Sequence, residues 1–307
     1  MLPIGDFSDL HDRVLSVLSS SEATPPSTLY HYTSAAGLLG MIQGKSLHAT
    51  HYAHLNDRVD GIFGMSVLEK QIDTLARDLA IESTGLPDTR YKPSYFQDGN
   101  DLFVCCFSSK FDHHGQWMEY GDRGQGYALE FSSHGLATIG RSHGGSTQPR
   151  LLKVLYKKDE QDKLIAHAKE LTLAFIKERA GSCSSKYEKD VFHSNCLRVL
   201  AENLYLYCFA MKDPRFADEE EWRLCIPMDR KAEEQISFRS GKYGITPYIE
   251  LCNHFSCSTN RSHLPIVNIY PGPNVDEYSA KQAWRLLKWK TSAPGHMQDY
   301  SSLPIRR

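Results

Sequence analysis

The chain lacks charge of one dominant sign: 35 lysines and arginines stand against 37 aspartates and glutamates in 307 residues, a net of −2 at neutral pH. That balance excludes a general attraction to nucleic acid or to an anionic membrane surface, and leaves nucleic acid only a local patch. No apolar run approaches the ~20 residues that a membrane-spanning helix needs. The first residues, with Asp6, Asp9 and Asp12, do not follow the basic-then-apolar layout of a signal peptide. A cytoplasmic protein with no membrane partner is expected. No internal repeat is visible.

Cysteine is present but not organised. The eight cysteines, at 105, 106, 183, 196, 208, 225, 252 and 257, are scattered through a long chain and several fall in apolar patterns, so reduced packing residues are expected. Cys252, His254, Cys257 and His263 are the right types for zinc, but their spacing matches no familiar zinc pattern. They read as strand-end and loop residues, and no metal is expected.

What is there in quantity is core-forming side chain, 41% of the residues, enough for one large domain. The spacing predicts a leading helix over 6–18, broken by Pro25 and Pro26, then a strand over 28–32, a helix over 35–43 ended by Gly44, and a strand over 46–50. Apolar residues at 62, 65, 68, 72, 75 and 79 predict a long helix, and 85–99 reads as a loop. The run Leu102 to Phe107 suits a central strand buried on both faces. Strands follow at 126–131 and 151–156, with a surface loop around Gly144, Gly145 and Ser146 between them. Helical patterns over about 160–180 and 187–211 read as an insertion. Strands then resume at 222–226, 235–239, 247–251 and 266–270 before a final helix over about 276–289. The expected fold is therefore α/β (α+β), a single mixed-sheet domain. Its expected parts are an N-terminal helix and linker (1–27), one domain over 28–290 with a helical insertion at about 158–211, and a loose C-terminal tail over 291–307.

Four places could carry chemistry. His31 lies with Tyr30 and Tyr32 in a short strand just before a helix start, where donors and rings can meet a ligand, or where a histidine simply packs. In the late strand Trp222, Leu224 and Ile226 alternate, which puts Glu221 and Arg223 side by side on the other face. Glu219 and Glu220 alone would read as a solvated charge run. The region Cys106-Phe107-Ser108, Trp117, Tyr120, Gly121, Gly124, Tyr127 and Glu130 could close over a ligand or form core and turn. Asn56 and Asp57 have turn-forming side chains that often bond their own backbone.

Taken together, Leu29-Tyr30-His31-Tyr32-Thr33, Asn56-Asp57, Cys106-Phe107-Ser108 with Trp117 and Tyr120, Glu219-x-Glu221-Trp222-Arg223, and Pro271 to Pro273 after a strand resemble a bacterial family known as domain of unknown function 2971. The resemblance runs from about residue 28 to 289. The opening motif is also similar to that of ADP-ribosyltransferase-like proteins, in which a strand bearing His or Arg precedes a helix and a late strand supplies a Glu.

This second resemblance implies an ADP-ribosyltransferase-like fold with NAD as co-substrate. His31 would hold the adenosine-side ribose, Tyr32 or another aromatic would lie against the nicotinamide, and Glu221 would be the catalytic carboxylate. Glu219 would steer the acceptor. Asn56, Asp57, Ser108, Trp117 and Tyr120 would complete the ligand site. The middle Ser-Thr-Ser motif of many such enzymes is absent, and only Phe107-Ser108-Ser109 stands in its place. Arg223 and Arg239 suit a pyrophosphate, because guanidinium pairs with phosphate in a bidentate way, or pair internally with the glutamates. The implied activity is an ADP-ribosyltransferase or NAD glycohydrolase, of the kind that serves as a toxin or phage-defence effector, with an unknown macromolecular acceptor. Two other functions fit the same residues. One is a metal-dependent hydrolase or nuclease on Asp57, Asp60, Glu221 and nearby histidines; the other is a non-catalytic nucleotide-sensing module.

Overall fold

A computed structural model describes residues 6–55, 60–80, 101–141, 149–179, 181, 183–228, 234–241, 244–252, 264–299, 301 and 303. The expected loop over 85–99 and the stretch around Gly144 lie outside these residues. The fold is mixed α/β with a helical insertion, and the chain divides into two compact units.

The helical unit gathers residues 1–23, 55–101 and 154–217. Its described helices are α1 (Ser8–Ser20), α3 (Asp60–Asp78), α6 (Lys158–Arg179) and α7 (Lys186–Cys208). The periodic apolar positions turn inward, with Leu10, Val14 and Leu18 on α1 and Leu68, Ile72 and Leu75 on α3 all buried. Phe7 stacks on Phe192, with ring centroids 5.8 Å apart, and Arg13 ties α1 to α6 by bonding Asp9 and Glu178. Gly64 lets α3 approach α7, because a Cβ there would run into the Cys208 carbonyl. Gly64→Ala is therefore expected to cost about 1–3 kcal/mol through overpacking, read as a lowered thermal midpoint. An unchanged midpoint would mean that the two helices separate without penalty.

The second unit comprises residues 24–54, 102–153 and 218–307 and carries the sheet. Its strands are β1 (Thr28–Thr33), β2 (Leu47–His51), β3 (Asp101–Ser108), β4 (Tyr127–Ser132), β5 (Arg150–Lys153), β6 (Glu221–Met228), β7 (Ile236–Gly241), β8 (Gly244–Leu251), β9 (Ile266–Pro271) and β10 (His296–Met297). They run in the order β10-β9-β4-β1-β3-β2-β8-β7, while β6 pairs with both β3 and β5. Between the strands lie α2 (Ala35–Gly44), α4 (His114–Glu119), α5 (Ser133–Arg141) and α8 (Glu277–Thr291).

One face of the sheet forms the main core. Leu29, Phe103, Phe107, Leu129, Trp222, Leu224, Ile249 and Ile269 pack there with Leu38, Met41 and Ile42 of α2, Leu136 and Ile139 of α5, and Trp284 of α8. Side chains cap three of the described helices: Ser34 accepts from Gly37 N on α2, Ser185 from Glu188 N on α7, and Asp276 from Ser279 N on α8.

Three local expectations are corrected. Gly44 stays helical, and it is Lys45 that turns left-handed at φ 51°. Helix α5 stands where no helix is expected, because a nine-residue segment with two glycines has little intrinsic propensity and forms by burying Leu136 and Ile139. The tail expected to be loose pairs as β10, parallel to β9, and Ser301 N bonds the Pro271 carbonyl at 3.1 Å. Such backbone pairing leaves no periodic signal in the sequence.

Candidate functional site

The face of the sheet opposite the main core carries the polar residues, and β3 organises it. Cross-strand partners share a face, so Thr50 of β2 lies with Val104 and, by alternation, with Cys106 and Ser108. Tyr30, the partner of Ser108, joins them. On β6, Trp222, Leu224, Ile226 and Met228 enter the core, as their alternation requires. Glu221 and Arg223 turn the other way, to the Cys106 side.

Glu221 and Arg223 form a buried bidentate pair. Nε bonds Oε1 at 2.9 Å and Nη2 bonds Oε2 at 2.8 Å, with Arg223 fully buried and Glu221 only 7% exposed. The Cys106 thiol lies near enough to this carboxylate to feel its charge. Burial, and then the Glu221 charge, holds that thiol well above its ordinary pKa, so Cys106 stays protonated and is no nucleophile at neutral pH.

His31 reaches Cys106 from the other strand. Its Nδ1 lies 2.9 Å from the Cys106 carbonyl, between the residues of β3 that pair with β1 and those that pair with β2. His31 thus bonds the backbone of Cys106, while Glu221 bears on its thiol through charge. Alternation nevertheless puts the His31 side chain toward Phe107, 5.7 Å away between ring centroids, and not on the Glu221 face.

The glutamate turn is pinned to the end of β3. Ser108 Oγ donates to the Glu219 carbonyl at 2.7 Å, Ser109 N to the Glu220 carbonyl at 3.0 Å, and Ser109 Oγ to Glu220 Oε2 at 2.7 Å. Glu220 takes a left-handed φ of 43°, a strained conformation for a glutamate, and delivers Glu221 to its strand. Asp218, just before it, bonds Lys110 at 2.5 Å and His113 at 2.7 Å.

Arg239 occupies the same face through β2 and β8. Its Nη2 donates to Thr50 Oγ1 at 2.9 Å, its Nη1 lies 3.1 Å from His48 Nδ1, and its guanidinium sits 5.3 Å over Tyr248. The side chain is exposed, so unlike Arg223 it can still meet an anionic ligand. His48 and Tyr248 stack with centroids 4.2 Å apart.

Two expected roles change. Tyr32 is only 5% exposed, lies edge-on to Trp117 at 4.9 Å, donates to the Lys110 carbonyl at 3.0 Å and accepts from His113 N at 3.3 Å. It is a packing residue, unavailable to stack on a nicotinamide. Trp117 is fully buried with Nε1 bonded to Asp112 at 2.9 Å, and Tyr120 packs on the same aromatic cluster, so this region is core and not a cover. The Ser108 hydroxyl is committed to the Glu219 backbone carbonyl. Asn56, Asp57, His254, Cys257 and His263 lie outside the described residues. Among the described residues no group of three or more His, Cys, Asp and Glu side chains could hold a metal ion.

Residues 116–224 match the model of a family described as a protein of unknown function, DUF2971. The match takes in Trp117, Tyr120, Glu219, Glu221 and Arg223 and leaves His31 outside, a narrower span than the resemblance over 28–289. No curated protein and no solved structure matches the chain. The likeness to ADP-ribosyltransferases therefore rests on the sequence motifs alone. No described helix is long and apolar enough to cross a membrane.

Burial holds His31 below its ordinary pKa of 6.5, with Arg239 adding to the shift and the Cys106 carbonyl opposing it; His48 and His193 are lowered as well, chiefly by burial. A lowered histidine pKa means that the unfolded chain binds protons first. Stability is expected to fall as pH drops below about 6.5, and His31→Asn should make that decline shallower. Thermal midpoints between pH 7 and pH 5 check it. An equal slope in the variant would show that His31 is not held neutral by the fold.

Proposed function

We propose that the chain is an NAD-consuming enzyme of ADP-ribosyltransferase type, with Glu221 as its catalytic carboxylate. The observation that carries this reading is the Glu221 carboxylate, fixed by Arg223 on the face of the sheet that also bears the exposed Arg239 guanidinium; His31 lies on the other face and braces β3 through the Cys106 carbonyl. Arg239 supports it as an exposed guanidinium on the Glu221 face, suited to a diphosphate. Arg223 does not contact ligand in this account; it fixes the Glu221 carboxylate.

NAD supplies a glycosidic bond that, on breaking, leaves positive character on the ribose. A carboxylate held rigidly in a water-poor site stabilises that charge and orients the acceptor. Ser108 sets the backbone from which Glu219 steers the acceptor. Depletion of NAD is the action expected of a toxin or phage-defence effector.

A non-catalytic nucleotide-binding module is the second reading, favoured by one observation: both Glu221 oxygens are already engaged by Arg223. Incubation of the purified protein with NAD, alone and with a bacterial lysate, separates the two. ADP-ribose attached to lysate macromolecules marks a transferase, and free ADP-ribose without lysate marks a hydrolase. Saturable binding of NAD with no turnover would leave the binding module and overturn the enzyme.

A further inference from the structure

The geometry points to a second binding site, for an organic cation, formed by Glu130 and the rings of Tyr30, Phe111 and Tyr270. It does not depend on the NAD reading. Asn268, Glu130, Tyr30 and Ser108 are successive partners across β9, β4, β1 and β3, so the four side chains form one row on one face. Glu130 stands two strands from Ser108, about 9–10 Å at ordinary strand spacing.

Glu130 is 9% exposed. Its Oε2 accepts from Asn268 Nδ2 at 2.7 Å and from the Tyr270 hydroxyl at 3.0 Å, and Tyr30 is its cross-strand neighbour. Gln298 Nε2 donates to Asn268 Oδ1 at 2.7 Å, which keeps the Asn268 amide turned with its NH2 toward Glu130. All of these donors are neutral. Among the described residues the carboxylate thus has no cationic partner, and an organic cation beside it would supply one. The lysine next to Phe111 in the chain does not serve, because Lys110 is committed to Asp218 at 2.5 Å and lies 3.8 Å from Glu220.

The rings give the site its selectivity. Tyr30 and Phe111 stand 5.3 Å apart between centroids, Phe111 and Tyr270 4.4 Å, and Tyr30 and Tyr270 6.4 Å. They touch one another, so a ligand lies against their outer faces and not between them. Phe111 is 45% exposed, which is unusual for a phenylalanine in an otherwise packed cluster, and both tyrosines are half-buried. Aromatic faces beside a carboxylate attract alkylammonium and guanidinium groups. Lysine or arginine side chains of a peptide carry these groups, as do small free amines. An anion would meet the Glu130 charge.

The test is calorimetric titration of the full chain with N-acetylarginine amide, N-acetyllysine amide, tetramethylammonium chloride and the neutral N-acetylcitrulline amide. The cations are expected to bind saturably and about tenfold tighter than the citrulline compound. Glu130→Gln, which removes the charge but keeps an acceptor oxygen, should weaken them about tenfold, and Phe111→Ala should weaken them about threefold. Phe111 is exposed enough that its loss leaves the fold standing, so it carries the test even if Glu130→Gln fails to fold. Binding of the two amides without tetramethylammonium identifies peptide side chains; equal binding of all three identifies small amines. The site is refuted by no saturable binding, by citrulline binding as tightly as the cations, or by wild-type affinity in Phe111→Ala.

Discussion

Arg223→Ala is expected to destabilise the protein by about 3–5 kcal/mol, measured by urea unfolding. The guanidinium is fully buried and bonds both oxygens of Glu221, which is itself nearly buried. Removing it takes the bidentate guanidinium away from a carboxylate that is nearly withdrawn from water. The cost arises from the stranded charge and not from the pair's own attraction. Removing both charges together, as Arg223→Met with Glu221→Leu, should therefore recover most of the loss. A single variant within about 1 kcal/mol of wild type would show that water reaches the pair.

The same burial determines how Glu221 can be probed. Glu221→Gln removes the charge that the buried Arg223 guanidinium pairs with, just as Arg223→Ala removes that of its carboxylate partner, so lost activity would be confounded with lost fold. Glu221→Asp keeps the charge and draws the carboxylate back by one methylene. On the enzyme reading it should release nicotinamide from NAD at least about 100-fold more slowly than wild type, because catalytic groups act within narrow geometric limits. Circular dichroism and thermal melting, unchanged in outline, would show that the loss is chemical.

Much of the fold was legible because burial imposes period on sequence. Trp222, Leu224 and Ile226 alternate into the core, which also located Glu221 and Arg223 together on the opposite face. The helix from residue 60 followed from apolar residues at helical spacing. Where tertiary contacts outweigh local preference, the sequence was silent: α5 carries two glycines and forms by docking Leu136 and Ile139, and β10 exists through two residues paired with β9.

The site was legible only in part. His31 and Glu221 could be picked out as residue types, but their nearness to Cys106 depends on β1, β3 and β6 being neighbours in the sheet, which no local pattern encodes. Tyr32 and Trp117 looked equally suited to ligand and core, and their mutual edge-on packing decides for core. His48 and Thr50 alternate with buried Leu47 and Ala49 in β2, a signal that could have marked them as partners for Arg239. Glu130 stood out only as one residue of the region from Cys106 to Glu130, since a single acidic residue in an apolar strand says nothing about its donors.

Nicotinamide release from NAD by the purified wild-type chain, run beside Glu221→Asp, tests the central claim most directly. In the wild type nicotinamide is expected to accumulate in step with NAD loss, with added lysate for a transferase or without it for a hydrolase, and the variant is expected to be nearly silent. Intact NAD in both conditions, or equal release by the two proteins, would contradict it and leave Glu221 and Arg223 as a buried pair that holds β6 in place.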